Sequence, residues 1–85
     1  MAKVTINFTH PMGLHLRPSS ILSEIANKYN AQSTISFRDK KADLKSILEI
    51  LSLGCTPGEI VIETVGPDAE QAIIELEAAF TGNFD

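Results

Sequence analysis

The sequence predicts an α+β domain in which helices cover one face of a small four-stranded sheet. Segments with the period of a strand and segments with the period of a helix follow one another in the order β-α-β-β-α-β-α. The chain has 85 residues, 44% of them hydrophobic, which suits a single packed domain over 1–85. Four short strands cannot bury both faces of a sheet, so we expect the helices on one face only.

The first half of the chain predicts a strand, a long helix and a second strand. Apolar and polar residues alternate over 4–8 and again over 33–37, as they do in strands with one buried face. Pro18 favours the first turn of a helix, which therefore begins at or just after His15. The apolar stripe of this helix is Pro18, Ile21, Leu22, Ile25, Ala26 and Tyr29. Its polar face holds Ser19, Ser23, Glu24, Asn27 and Lys28.

The middle of the chain predicts a hairpin and a short helix. Residues 39–41 form a plausible tight turn into a short third strand near Ala42. Ser46 and Glu49 have the spacing of a capping box, in which each residue satisfies a free N–H of the helix start. Gly54 is a typical stop signal for the helix that follows.

The last third predicts a strand and a final helix. Residues 60–65 are rich in β-branched side chains, which favour a fourth strand. Asp68 is predicted to cap the last helix, and Gly82 to end it. The apolar stripe of that helix is Ala69, Ala72, Ile73, Leu76, Ala79 and Phe80.

Charge and composition limit the classes of function. Seven Lys and Arg against eleven Asp and Glu give a net charge of −4, which argues against nucleic acid or an anionic membrane as the main partner. No apolar run approaches the roughly 20 residues that span a bilayer, and no signal core follows the first residues. Cys55 is the single cysteine, so no disulfide framework is expected. We expect a soluble, cytoplasmic monomer.

His15 is the candidate phosphoryl acceptor. The first N–H groups of a helix have no partner within it and carry partial positive charge, so they form a site suited to phosphate. A neutral imidazole beside that site can accept a phosphoryl group and release it again. Arg17 adds a guanidinium for the phosphate oxygens, and Gly13 allows a close approach of the backbone. By position alone, however, such a histidine is more often an ordinary loop residue.

Three short motifs, one of them around His15, resemble a known family and favour a functional role for this histidine. Residues 13–18 read Gly-Leu-His-Leu-Arg-Pro, residues 44–48 read Leu-Lys-Ser-Ile-Leu and residues 51–54 read Leu-Ser-Leu-Gly. Together, at matching spacing, they resemble the HPr family, the histidine phosphocarriers of the bacterial phosphotransferase system. The likeness covers nearly the whole chain. It implies an open-faced β-sandwich with four antiparallel strands under three helices.

The resemblance also implies a role for each matching residue. His15 would take phosphate from enzyme I and pass it to enzyme IIA components in sugar uptake, and Arg17 would assist the phosphohistidine. Ser46 would be the regulatory site of an ATP-dependent kinase. HPr kinase/phosphorylase and a transcriptional regulator are therefore further candidate partners. The chain is expected to be a phosphocarrier and not an enzyme, without a cofactor or a metal ion.

The short helix after Ser46 is more apolar than its length requires. Ile50 and Leu53 lie on one side of a helical projection and can face the sheet. The other side then faces solvent or a partner, unless Leu48 and Leu51 fill the core. The predicted docking residues, on this helix and near His15, are Leu16, Ser20, Ile47, Leu48 and Leu51. A phosphate on Ser46 would repel an acidic partner from this surface.

Several residues depart from the family pattern and bear on partner choice. Leu16 stands where alanine is usual, and Glu24 and Glu49 stand where many relatives have basic or neutral residues. The tail over 79–84 resembles that of nitrogen-type carriers, which serve a regulatory phosphorelay. That relay is the second hypothesis for this chain.

Two further hypotheses come from other classes of protein. One is a regulatory module that binds partners through the Ser46 helix without moving phosphate, although relatives of that kind lack the histidine. The other is a hydrolase or metal site built from His10, His15 and Cys55. It is disfavoured, because no carboxylate is placed to orient a histidine and no metal-ligand spacing recurs. Cys55 is instead expected to be structural, and His10 to lie in the loop before His15.

Overall fold

The secondary structure follows the predicted order. The computed structural model describes residues 1–82 and Phe84; Asn83, part of the tail motif, lies outside the described residues. The elements are β1 (Ala2–Phe8), α1 (Leu16–Lys28), β2 (Gln32–Phe37), β3 (Lys40–Asp43), α2 (Ile47–Ser52), β4 (Gly58–Val65) and α3 (Ala69–Thr81). None of the helices in this part of the chain is long and apolar enough to cross a bilayer.

The four strands form one antiparallel sheet in the order β1-β4-β2-β3. Ile35 of β2 pairs with Ile62 of β4, and both are fully buried beneath the helices together with Ile60. The residues between them along each strand, such as Thr34 and Val61, remain partly exposed on the opposite face. This alternation confirms the predicted open-faced sandwich, with a core between one sheet face and three helices.

Two serines of α1 do not lie on the polar face where the sequence places them. Ser19 and Ser23 are buried. The Ser19 hydroxyl donates to the carbonyl of Leu14 at 3.3 Å, and the Ser23 hydroxyl donates to the carbonyl of Lys45 at 3.0 Å. A hydroxyl can be buried at little cost when its hydrogen bond is made. The helix therefore buries a wider surface than its apolar stripe, and it holds the segment before α2 in place.

The turn between β2 and β3 lies one residue earlier than predicted. β3 already begins at Lys40, which pairs with Phe37 across the hairpin and leaves Arg38 and Asp39 to form the turn. Two-residue hairpin turns need a positive φ, and Arg38 has φ 58°. Its guanidinium lies 5.0 Å from the centre of the Phe37 ring. The prediction was wrong because Arg-Asp is not a typical sequence for such a turn.

Ser46 and Asp68 lie at the predicted helix starts, but the carboxylates of Glu49 and Asp68 do not make the predicted capping bonds. Ser46 caps α2 by accepting from the N–H of Glu49 at 3.2 Å. The Glu49 carboxylate does not return the bond but accepts from the N–H of Asp43 at 3.0 Å. Asp68 precedes α3, yet its carboxylate accepts from the N–H of Asn30 at 2.8 Å and makes no bond to the helix. The Glu49 carboxylate thus connects α2 to the end of β3, and the Asp68 carboxylate connects the start of α3 to the loop after α1.

The hydroxyl of Ser33 is buried and has no hydrogen-bond partner among the described residues. Such a group costs about 1–3 kcal/mol of desolvation. We expect Ser33→Ala to raise the free energy of unfolding by about 0.5–1 kcal/mol in urea titrations, after allowing for the lower strand propensity of alanine. Thr64 pairs with Ser33 across the sheet and is a matched control, because its hydroxyl donates to the carbonyl of Ala69 at 2.7 Å.

Thr64→Val should therefore lower the free energy of unfolding by about 1–2 kcal/mol, since it leaves the Ala69 carbonyl without this donor. Equal losses of stability in Ser33→Ala and Thr64→Val would contradict the prediction for Ser33.

Candidate functional site

His15 is the residue that immediately precedes α1. Its backbone is extended, with φ −81° and ψ −167°, and its carbonyl accepts the first helical hydrogen bond, from the N–H of Ser19 at 3.1 Å. Its side chain makes no capping hydrogen bond and is partly exposed. The backbone of His15 therefore starts the helix, while its imidazole remains available for chemistry.

The first turn of α1 presents free donors beside this ring. Leu16 and Arg17 are its first two residues, and their N–H groups have no acceptor in the part of the chain that the structure describes. Pro18, the third, has no N–H and is fully buried, which fixes the turn against the core. The Arg17 side chain is exposed. Two N–H groups without acceptors and the positive end of the helix dipole thus lie directly after His15, and the exposed Arg17 belongs to the same turn.

The loop before His15 is held against the loop that follows α2. Gly13 has φ +70°, and a Cβ atom added to it would lie 2.3 Å from the carbonyl oxygen of Cys55. The N–H of Leu14 donates to that same oxygen at 3.2 Å. The Leu14 side chain is buried in the core. The close approach at Gly13 is therefore to Cys55, whereas the sequence led us to expect it at the phosphate site.

Cys55 contributes to the site through its backbone and not through its thiol. Its side chain is buried, and desolvation raises the pKa of the thiol to about 11. Because the thiolate is the form that attacks or binds metal, a thiol that stays protonated at neutral pH is a poor nucleophile. The described residues contain no group of three or more His, Cys, Asp or Glu side chains placed to hold a metal ion.

His10 lies beside His15, as the sequence led us to expect. The two ring centres are 5.7 Å apart and the ring planes are inclined by 57°. Nδ1 of His10 accepts a hydrogen bond from the N–H of Met12 at 3.3 Å. On its other side the ring stacks on Phe8, with 6.3 Å between centres and 12° between planes. The site therefore contains a second imidazole whose orientation is constrained.

The predicted docking residues differ in exposure. Leu48 is 76% exposed and Leu16 is 62% exposed, whereas Ile50 and Leu53 face the core. The alternative that Leu48 fills the core is therefore wrong. The other predicted docking residues are partly exposed: Ser20, Ile47 and Leu51. These side chains leave apolar surface uncovered on α1 and α2.

The two helices that carry this surface are tied together next to Ser46. The carbonyl of Lys45 accepts from the hydroxyl of Ser23 at 3.0 Å and from the side-chain amide of Asn27 at 3.2 Å. Both donors belong to α1, whereas Lys45 immediately precedes the cap of α2. This connection was not predicted, because the helical pattern places Ser23 and Asn27 on the polar face of α1. The residue directly before Ser46 is thereby bonded to α1, the helix that follows His15.

A family model, a related protein and two solved structures that match this chain all belong to one protein family. The family model described as the phosphorylation site of the PTS HPr component matches residues 2–81. A phosphocarrier protein HPr of Mycoplasma capricolum is 40% identical over 74 residues, which cover 86% of this chain and 83% of that protein. The crystal structure of HPr-C-His from Thermoanaerobacter tengcongensis superposes with a TM-score of 0.92 at 34% identity, over 99% of this chain and 96% of that one. A mycoplasma histidine-containing phosphocarrier protein superposes with a TM-score of 0.94, also at 34% identity, over 98% and 96%.

Proposed function

Because the chain belongs to the HPr family of phosphocarriers of the phosphotransferase system, we propose that His15 accepts a phosphoryl group from enzyme I and passes it to enzyme IIA domains in sugar uptake. The observation that carries this proposal is the position of His15 at the start of α1, with the free N–H groups of Leu16 and Arg17 next to its ring. The chain acts as a monomeric carrier in the cytoplasm and not as an enzyme.

The proposed transfer needs little covalent machinery from this chain. A nitrogen lone pair of His15 attacks phosphorus, an N–P bond forms, and the bond to the donor breaks with its electron pair remaining on the donor. Phosphoryl transfer depends mainly on positioning and on compensation of the charge on the phosphoryl oxygens. The free N–H groups, the helix dipole and the Arg17 guanidinium supply that compensation. The second transfer, to enzyme IIA, follows the same steps with His15 as the donor.

Selectivity in this proposal comes from the surface around His15. Leu16 and Leu48 expose most of their side chains, so a partner that covers them gains apolar burial and keeps water from the reacting group. We assign Ser20, Ile47 and Leu51 to the rim of the same contact, because they are partly exposed on the same two helices. Enzyme I and enzyme IIA would use this surface in turn.

The direct test is incubation of the chain with phosphoenolpyruvate and enzyme I. We expect one phosphate per chain that is lost in acid, as a phosphohistidine is, and that passes to an enzyme IIA domain when one is added. A chain that stays unlabelled under conditions in which another HPr is labelled would contradict the proposal.

We further propose that Ser46 is a regulatory phosphorylation site, because it is partly exposed and directly follows Lys45, whose carbonyl is hydrogen-bonded to α1. Ser46→Asp is expected to slow phosphorylation of His15 by enzyme I about tenfold at low salt, since it places a negative charge on the docking surface. Salt should reduce the difference. Ser46→Asn is the matched control, because asparagine caps a helix as well as aspartate does but carries no charge.

The rate for Ser46→Asn should lie within about twofold of the parent rate. Equal rates for the Asp and Asn variants at low salt would refute regulation by charge. Incubation with ATP and an HPr kinase/phosphorylase tests separately whether Ser46 itself is a substrate, because phosphoserine survives acid.

A further inference from the structure

We propose that His10 donates a hydrogen bond from Nε2 to a phosphoryl oxygen on His15, and that it thereby stabilises the phosphorylated state. The inference rests on the proposed function of His15 and names a second residue that acts on the same group. The sequence placed His10 in a loop and gave it no chemical role.

A backbone hydrogen bond sets the tautomer of His10. Its Nδ1 accepts from the N–H of Met12 at 3.3 Å, so Nδ1 carries the lone pair and the proton of the neutral ring resides on Nε2. Nε2 has no hydrogen-bond partner in the part of the chain that the structure describes. The ring therefore offers a free N–H donor next to His15.

The His10 ring that carries this donor is also held in place. The His10 ring lies nearly parallel to that of Phe8, at 12°. Phe8 is buried and packs edge-on against Phe80, with 5.7 Å between ring centres. The His10 ring thus lies parallel to a core ring, with 6.3 Å between the centres, and one ring nitrogen is bonded to the loop backbone. Little rotamer freedom remains to be lost when a ligand oxygen binds, which is the condition for a strong contact.

The rings of His10 and His15 leave space between them. Their centres are 5.7 Å apart and their planes are inclined by 57°, so they do not stack on each other. No hydrogen bond joins His10 to His15 in this structure. A tetrahedral phosphoryl group on His15 carries its oxygens beyond the ring edge, where the neighbouring ring can meet one of them. The bond then exists only in the phosphorylated chain, and it shifts the equilibrium toward that chain.

The experiment measures the equilibrium of phosphoenolpyruvate and chain with pyruvate and phosphorylated chain, with enzyme I present in catalytic amount. Enzyme I changes only the rate, so any effect of a substitution on docking does not alter the equilibrium constant. His10→Phe keeps a flat ring against Phe8 but removes the donor. His10→Gln is the matched control, because its amide N–H lies near the place of Nε2.

We expect His10→Phe to lower the equilibrium constant about tenfold, the usual value of one hydrogen bond to a charged group. His10→Gln should stay within about threefold of the parent constant. In the phosphorylated parent, NMR should show a scalar coupling between phosphorus and Nε2 of His10, which only a direct hydrogen bond produces.

Each outcome decides between the alternatives. Equal constants for the parent and both variants overturn the inference, and a loss that His10→Gln does not restore assigns His10 a purely structural role. A parent that takes up no phosphate overturns the proposed function of His15, and this inference with it. A labelled parent with unchanged constants overturns the role of His10 alone.

Discussion

Replacing His15 with alanine is expected to remove all acid-labile phosphate from the chain after incubation with phosphoenolpyruvate and enzyme I. Loss of the imidazole removes the nucleophile, and the remaining imidazole of the site, His10, belongs to the preceding loop and not to the start of α1. The fold should persist, because His15 starts the helix through its carbonyl, which accepts from the N–H of Ser19, and its side chain makes no capping bond. We expect the free energy of unfolding to change by less than about 0.5 kcal/mol.

His10→Ala is the comparison variant for this experiment, since it removes the other imidazole of the site; His15 should still take up acid-labile phosphate, with the lower equilibrium constant expected without the His10 donor. Acid treatment separates phosphohistidine from phosphoserine, so a label on Ser46 cannot be mistaken for one on His15. Acid-labile phosphate that persists in His15→Ala would place the acceptor elsewhere and would end the assignment of His15.

The elements of the fold could be predicted because each carries its own periodic pattern. Alternation over 4–8 locates β1, and Pro18 locates the start of α1 to within a residue. Apart from the β2–β3 turn, whose Arg-Asp sequence is atypical, the failures have a common cause, which is that tertiary partners decided the outcome. Ser19 is buried because a backbone carbonyl accepts from its hydroxyl, and the Glu49 carboxylate bonds a strand residue instead of its own helix. Neither partner can be recognised from local sequence.

In the site too, relations between residues that are neighbours in the sequence could be predicted, whereas contacts between distant segments could not. His15 and Arg17 are two residues apart at a helix start, so their relation could be read from the sequence. The tautomer of His10 depends on a backbone N–H whose direction is set by the loop conformation. The carbonyl of Cys55 reaches the loop from the far end of α2. The positions of His15 and Arg17 at a helix start were thus predictable, and the contacts made by His10 and Cys55 were not.

Gly13→Ala is expected to lower the free energy of unfolding by about 2–4 kcal/mol, measured by urea denaturation. Two costs add. A residue with a Cβ atom at φ +70° is strained by about 1 kcal/mol or more. In addition, the new methyl group would lie 2.3 Å from the carbonyl oxygen of Cys55, which is backbone and cannot rotate away. Relieving such a contact by shifting the chain costs about 1–3 kcal/mol.

Gly54→Ala separates these two costs. Gly54 has φ +63°, close to the value at Gly13, but no atom lies within 4 Å of the place where its Cβ would be. It should therefore show the conformational strain alone, about 1 kcal/mol. Equal destabilisation in the two variants would mean that the loop can move away from the Cys55 carbonyl at no cost, and that the close contact at Gly13 does not contribute to stability. A larger loss at Gly13 would mean that the loop from His10 to His15 is held by the Cys55 carbonyl, which also accepts from Leu14. This contact would then fix the relative position of the His10 and His15 rings. Gly13→Ala should therefore also shift the NMR signals of both rings, whereas Gly54→Ala should leave those signals unchanged.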